Sequence, residues 1–318
     1  MRLTSFRRDG TRIHAGIATE HGIIDVHEGM ALVNDERPAT PASLSDIIRG
    51  TNETVHLGAV SVIQEVIEQL QSGTDISYWF GGVEMLMRRN DVQLLAPLAD
   101  IPYWRRCALH LPSYEALFRR RGDAMPMHWY EHIPIWAGYA PQLWGDRAVV
   151  PFPDTTQCDV ECEVVWVIGR DVRDCDAEEG LDAILGLCLM ATVVDATRAT
   201  EDVLHGQWSR PVGVVMGPVL TCVDELVEFM LPDGRFRIDV RLLVNDVQVS
   251  HINMRDVHYT MGSAVAHACD GQSVEAASVF SSGVVMSVSL SGAAWLVPGD
   301  TVEIDAGPLG ALRWTMED

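Results

Sequence analysis

The chain has 318 residues, and 45 acidic side chains against 23 basic ones give a formal net charge of −22. Every basic residue is Arg, and the absence of Lys excludes a Walker-type phosphate loop, a pyridoxal-phosphate Schiff base and any lysine nucleophile or base. The acidity argues against nucleic acid, whose phosphates need cationic partners.

In chain order, Leu3 to Arg7, an Asp9-Gly10 turn, Ile13 to Thr19 and Gly22 to Val26 predict a strand meander. Ala59 to Gln71 predicts an amphipathic helix, with Ala59, Val62, Ile63, Val66, Ile67 and Leu70 on its apolar face and Gly73 closing it. Leu94 to Pro97 marks a junction, so residues 1–95 are expected to form a small β-rich domain and residues 96–318 the main one. Glu161 to Ile168 predicts a strand ended by Gly169, and Gly180 to Met190 a buried helix that Ala191 to Asp195 either continues or leaves as a strand. Ile238 to Val244 and Val247 to His251 flank Asn245-Asp246 as a hairpin. Val284 to Leu290, Thr301 to Asp305 and Ala311 to Met316 complete the strands, with Pro298-Gly299-Asp300 and Gly307-Pro308 between them. Many strands and few helices predict a β-rich α+β fold.

Seven Cys, an odd number without paired spacing, and an opening without a secretory leader lead us to expect free thiols in a reducing cytoplasm. Ala276 to Pro298 is long enough for a membrane span, but its Ser and Gly content predicts strand, loop and strand instead.

The segment from Asp159 to Gly169 carries the most chemistry. On a strand, Asp159, Glu161 and Glu163 share one face while Cys158, Val160 and Cys162 take the other. Glutamates two apart beside an apolar run are costly unless neutralised, which suits a hard divalent cation, or else the strand lies at a solvated edge. Asp195 ends an apolar element and either joins that site as a third carboxylate, or caps a helix or pairs with Arg198. Cys158 and Cys162 lack a second Cys or His pair at zinc spacing.

Asp159 to Gly169 resembles the Asp-x-Glu-x-Glu strand leading into Val-Ile-Gly in the fumarylacetoacetate hydrolase family. Val194-Asp195-Ala196-Thr197-Arg198 is similar to the family's Asn-Asp-x-Ser-Ala-Arg segment, and Met216-Gly217-Pro218-Val219-Leu220-Thr221 to its Leu-Gly-Pro-Trp-Leu-Val run. Leu243 to Asp246 resembles its Val-Asn-Gly hairpin. Met125 to Pro134 resembles the Pro-x-x-Trp-Tyr-Glu-x-Pro stretch of some members, and Trp295 to Ile304 with Gly307 to Arg313 its closing Pro-Gly-Asp and Leu-Gly-x-Leu segments. The resemblance spans essentially the whole chain. It implies a mixed β-roll core behind a small N-terminal domain, a homodimer, a catalytic domain over residues 96–318, and Mg²⁺ or Mn²⁺, with Ca²⁺ as a further candidate; no membrane or nucleic-acid partner is expected from the composition. Glu161, Glu163 and Asp195 carry over as metal ligands, and the implied substrate is an oxo acid or 1,3-dicarbonyl compound processed through an enolate.

Other positions depart from the family. Its water-activating Asp and His, seven residues apart, align with Ser113 and Arg120, and its Lys, eight residues before the Gly-Pro proline, aligns with Arg210. The Arg of its Ser-Ala-Arg segment falls on Ala199, with Arg198 one place early. Arg keeps a positive charge but neither gives nor takes a proton near neutral pH. Decarboxylation, isomerisation or another non-hydrolytic enolate step is therefore expected. Arg210, Arg120 and His132 are the catalytic candidates, and Tyr130, Tyr139, Arg198 and Ser113 the substrate-binding ones; His128 and His205 also lie in segments expected near the site. The alternatives are an acylpyruvate-type C–C hydrolase whose base has moved elsewhere and a catalytically silent binding subunit.

Overall fold

The computed structural model describes residues 1–8, 12–34, 42–50, 79–80, 83–99, 103–198 and 211–318. The expected Asp9-Gly10 turn, the Ala59–Gln71 helix, Ala199, His205 and Arg210 lie outside the described residues.

Three long antiparallel strands organise the molecule: Cys158–Ile168, Ile184–Asp195 and Pro211–Cys222. All eleven residues of the first are buried, so alternation sorts its side chains between two packed faces rather than between core and solvent. Val160, Cys162, Val164, Trp166 and Ile168 face a core shared with Leu187, Leu189, Ala191 and Val193 and with Val302, Ile304, Leu312 and Trp314 of a second sheet. That five-stranded sheet runs Val149–Pro151, Ala311–Glu317, Thr301–Asp305, Asp239–Val244, Val247–Asn253. The predicted Asn245-Asp246 turn has φ of 51° and 64°, the paired positive values of a tight hairpin. On the other face Val165, Val167, Met190 and Met216 pack against Leu3, Ile17, Ile24, Ile47, Ile48 and Trp104.

The N-terminal strands extend this sheet. Arg2–Arg7 pairs with Pro211–Cys222 through Arg2–Thr221 and Leu3–Leu220, and His14–Ala18 and Ile23–Asp25 follow outward. Beyond the glutamate-bearing strand come Val279–Ser281, then Tyr103–Cys107, then Ile135–Tyr139. The fold is β-rich α+β.

Two expectations are corrected. The predicted helix Gly180 to Met190 is instead a short helix, Ala177–Asp182, and the start of the Ile184–Asp195 strand. The Asp176 side chain caps that helix through Glu178 N–H and Glu179 N–H. The apolar run after it is buried on both faces, and such a run carries no period that separates strand from helix. The predicted strand Val284 to Leu290 keeps strand pairing only at Met286–Ser287, because Ser287 accepts Leu290 N–H through its hydroxyl and Ser291 N–H through its carbonyl and turns the chain. No helix among the described residues is long and apolar enough to cross a membrane.

Candidate active site

Glu161 and Glu163 lie on the face that looks toward Trp104, side by side with Thr192 and Met190 of the adjacent strand. Arg106 reaches them because Tyr103–Cys107 runs parallel to Val279–Ser281, with Arg106 beside Ser281, and Val279–Ser281 pairs in turn with the glutamate strand at Val165. The Arg106 Nη2 donates to Glu161 Oε2 at 2.7 Å and stands 2.7 Å from Glu163 Oε1. Glu163 also accepts from Thr192 Oγ1 at 3.1 Å and from Ser281 Oγ at 2.5 Å, and Ser281 accepts from Trp104 Nε1 at 3.1 Å. All three charged side chains are buried, with relative exposures of 8, 3 and 0% for Arg106, Glu161 and Glu163. Burial pushes the Glu163 carboxyl above its ordinary range even though Arg106 and the hydroxyl donors pull it down. Burial acts to lower the Arg106 value, and the two glutamates more than offset it, so the guanidinium is firmly charged.

Arg106 and Glu161 line a cavity of about 410 Å³, together with Thr192, Tyr114, Trp136 and Tyr139. Arg121 and His128 also contribute to its lining. The Arg106 guanidinium lies 5.9 Å from the Trp136 ring centre, a cation–π distance. Its Nε is buried without a hydrogen-bond partner.

The remaining sequence candidates fall as follows. Asp195 pairs across the sheet with Cys158, out of phase with Glu161 and Glu163. Its Oδ1 accepts from Thr155 Oγ1 at 2.7 Å, Thr197 Oγ1 at 2.6 Å and Thr197 N–H at 3.0 Å, and its Oδ2 meets Arg198 Nε at 3.1 Å. Burial acts to raise this carboxyl, but the Thr197 and Thr155 hydrogen bonds hold it below its ordinary value. Arg198 is thus the ion-pair partner that the sequence offered as one alternative for Asp195. Arg120 is exposed and stacks over Trp295 at 5.0 Å, while its neighbour Arg121 faces the cavity. Tyr130 is exposed and donates to Glu115 at 3.5 Å. Tyr139 lines the cavity and stacks on Tyr103 with ring centres 5.5 Å apart. His132 is exposed, its ring 4.5 Å from that of His128. Among the described residues, one group of three or more His, Cys, Asp or Glu side chains is close enough to share an ion: His128, Glu131 and His132, all exposed, with ligand atoms within 4.8 Å of one another.

Ser113 is buried and donates to Val285 O at 2.7 Å, and its oxygen lies 2.7 Å from His110 Nδ1. The hydroxyl's one hydrogen goes to the carbonyl, so Nδ1 of His110 is the protonated nitrogen and donates to Ser113. Burial lowers the His110 value, against a weaker upward pull from Asp256. A lowered native value means that the unfolded chain binds more protons below about pH 6.5, so stability falls with acidification there, by at most about 1.4 kcal/mol per pH unit. The difference in urea midpoint between wild type and His110→Gln is expected to narrow from pH 7.5 to pH 5.5. A constant difference across that window would show that His110 does not titrate between the two states.

Arg106, Thr192, Ser281, Tyr114 and Trp136 were not singled out from sequence. The one local signal was the Arg105-Arg106 pair inside the apolar segment Tyr103 to Leu109.

The model of the fumarylacetoacetate (FAA) hydrolase C-terminal domain matches residues 111–317. The chain belongs to the fumarylacetoacetate hydrolase family. A Burkholderia ambifaria protein that carries only a provisional hydrolase name is 26% identical over 163 residues, 49% of this chain and 55% of that protein. The match thus spans about half the length of this curated relative. Among solved structures, the fumarylacetoacetate hydrolase of psychrophilic Exiguobacterium antarcticum superimposes with a TM-score of 0.69 at 17% identity, covering 100% of this chain and 99% of that one. Maleylpyruvate hydrolase from Sphingobium sp. SYK-6, in complex with manganese(II) and pyruvate, gives 0.66 at 17% identity with the same coverage. A 5-carboxymethyl-2-hydroxymuconate delta-isomerase from Mycobacterium smegmatis gives 0.62 at 17% identity, again with the same coverage. At these identities the likeness carries the fold, and the family includes both hydrolases and isomerases.

The arrangement on the two glutamates does not suit a divalent ion. Among the described residues the cation they hold is Arg106, and both Glu163 oxygens are already engaged. An ion bound to the same oxygens would stand roughly 4 Å from the guanidinium, a repulsion of about 8 kcal/mol at an effective dielectric constant of 20.

Proposed function

We propose that this chain is an enzyme that binds a small oxo acid or 1,3-dicarbonyl compound in the 410 Å³ cavity and stabilises an enolate there, in a decarboxylation, isomerisation or other non-hydrolytic step. The observation that carries this reading is the buried Arg106 guanidinium in the cavity wall, flanked by aromatic side chains. When a bond to the carbon beside a carbonyl breaks, the electron pair left behind moves onto the oxo oxygen as an enolate. A fixed, permanently charged N–H donor stabilises that oxygen more than the neutral carbonyl it came from. Arg121 offers a second cation for a carboxylate, and Trp136, Tyr139 and Trp104 restrict water. Expectation of Mg²⁺ or Mn²⁺ draws its support from the family and from the manganese in the Sphingobium complex, not from the carboxylate geometry of this chain.

The second reading, C–C bond hydrolysis with a relocated base, is favoured by His128, the one imidazole in the cavity lining among the described residues. Turnover in ¹⁸O-labelled water separates the two. A panel of β-oxo acids and acylpyruvates is expected to give products with no label in a newly formed carboxylate. Label appearing there, and lost together with activity in His128→Gln, would establish the hydrolase instead.

A further inference from the structure

We infer that Arg106 takes the place of the divalent cation in this chain: one guanidinium nitrogen holds Glu161 and Glu163 together, and the group's remaining donors bind the oxygens of an anionic substrate. Its second half rests on the oxo-acid reading above; its first half does not.

Nη2 alone accounts for both glutamate contacts, at 2.7 Å each. Nε is buried without a partner, and the side chain lines the cavity. A buried donor left unpaired is unfavourable unless a ligand or an ordered water completes it. The guanidinium is held rigidly from several sides: the Trp136 ring lies 5.9 Å away, Thr192 and Ser281 fix Glu163, and Trp104 fixes Ser281. A donor fixed in this way is preorganised, and its orientation adds no reorganisation when negative charge develops on a nearby oxygen. The exchange of ion for guanidinium also has a chemical consequence. A bound divalent ion both polarises a carbonyl and turns water into hydroxide near neutral pH, whereas a guanidinium does only the first. The site is therefore suited to a 2-oxo acid whose oxo and carboxylate oxygens meet N–H donors, and not to metal-hydroxide attack.

The test titrates Mn²⁺ against the full-length protein, reading free Mn²⁺ by electron paramagnetic resonance. His128→Ala/His132→Ala removes the exposed group that could bind an ion independently. In that protein Mn²⁺ is expected to show no stoichiometric binding tighter than about 1 mM, or only binding that survives a further Glu161→Gln and so lies elsewhere on the acidic surface. Stoichiometric binding abolished by Glu161→Gln overturns the inference. A second arm measures pyruvate binding by calorimetry in EDTA. Wild type is expected to bind, with affinity reduced at least about tenfold in Arg106→Gln and partly recovered in Arg106→Lys. Circular dichroism checks that each variant is folded, and Arg106→Lys alone decides if Arg106→Gln is not. Equal affinity in the variants, or wild-type binding only when Mn²⁺ is present, overturns the donor role. Pyruvate that binds under neither condition counts against the oxo-acid reading, and the Mn²⁺ arm still decides the place of Arg106.

Discussion

Arg106→Met is expected to lower the free energy of unfolding by about 3–5 kcal/mol, because it leaves the fully buried Glu163 without its cation and takes the same guanidinium away from Glu161. The cost comes from the stranded charges more than from a lost attraction. A desolvated carboxylate is unfavourable without a counter-charge, and the Thr192 and Ser281 hydroxyls that donate to Glu163 offset only part of that cost. The same reasoning predicts rescue: Arg106→Met combined with Glu161→Gln and Glu163→Gln should recover most of the loss, since neutral groups in these places need no counter-charge. Urea denaturation followed by tryptophan fluorescence measures all three proteins. A single variant as stable as wild type would mean that the ion pair is absent in solution, and a triple variant as unstable as the single one would mean that Arg106 acts through packing on Trp136.

Gly283→Ala carries the second large effect. Gly283 has φ of +65°, and a Cβ there would stand 1.9 Å from the Cys107 carbonyl oxygen and 2.3 Å from the Tyr114 hydroxyl. The first of these is backbone and cannot rotate away. Ser282, just before it, locks onto the glutamate strand, accepting Val164 N–H through its hydroxyl and donating its own N–H to Val164 O, and its carbonyl accepts Leu109 N–H. A side chain at Gly283 thus pries Tyr103–Cys107, and Arg106 with it, away from the glutamates. The left-handed backbone costs about 1–2 kcal/mol and the overpacking a similar amount, so a loss of about 3 kcal/mol or more is expected. Gly271→Ala is the control: φ there is +70° with nothing within 4 Å of the added carbon, so only the backbone penalty of about 1–2 kcal/mol should appear. Equal losses at both positions would show that the clash at Gly283 is relieved without moving the strand.

How much of this was legible in the residues depends on the range over which each feature is encoded. The strand carrying Glu161 and Glu163 could be read because acidic and apolar residues alternate at the strand period, and local alternation suffices to put both carboxylates on one face. The Asn245-Asp246 hairpin and the Gly and Pro punctuation after it could be read for the same reason, since turn chemistry is local. Family membership could be read from the order of several short segments. The run from Ile184 to Met190 reads as a buried helix, and Ala191 to Asp195 as either helix or strand, because burial on both faces erases the alternation that marks a strand. The partner of the glutamates was hidden for a different reason. Arg106 is 55 residues from Glu161 along the chain, and they meet only because Val279–Ser281, from far downstream, lies between their strands. The sequence by itself determined that two carboxylates share one strand face, which requires a positive charge wherever that face is buried. Only the tertiary structure decided that an arginine side chain supplies it, because strand order in a sheet is set by pairing between distant segments and leaves no mark on the residues near either charge.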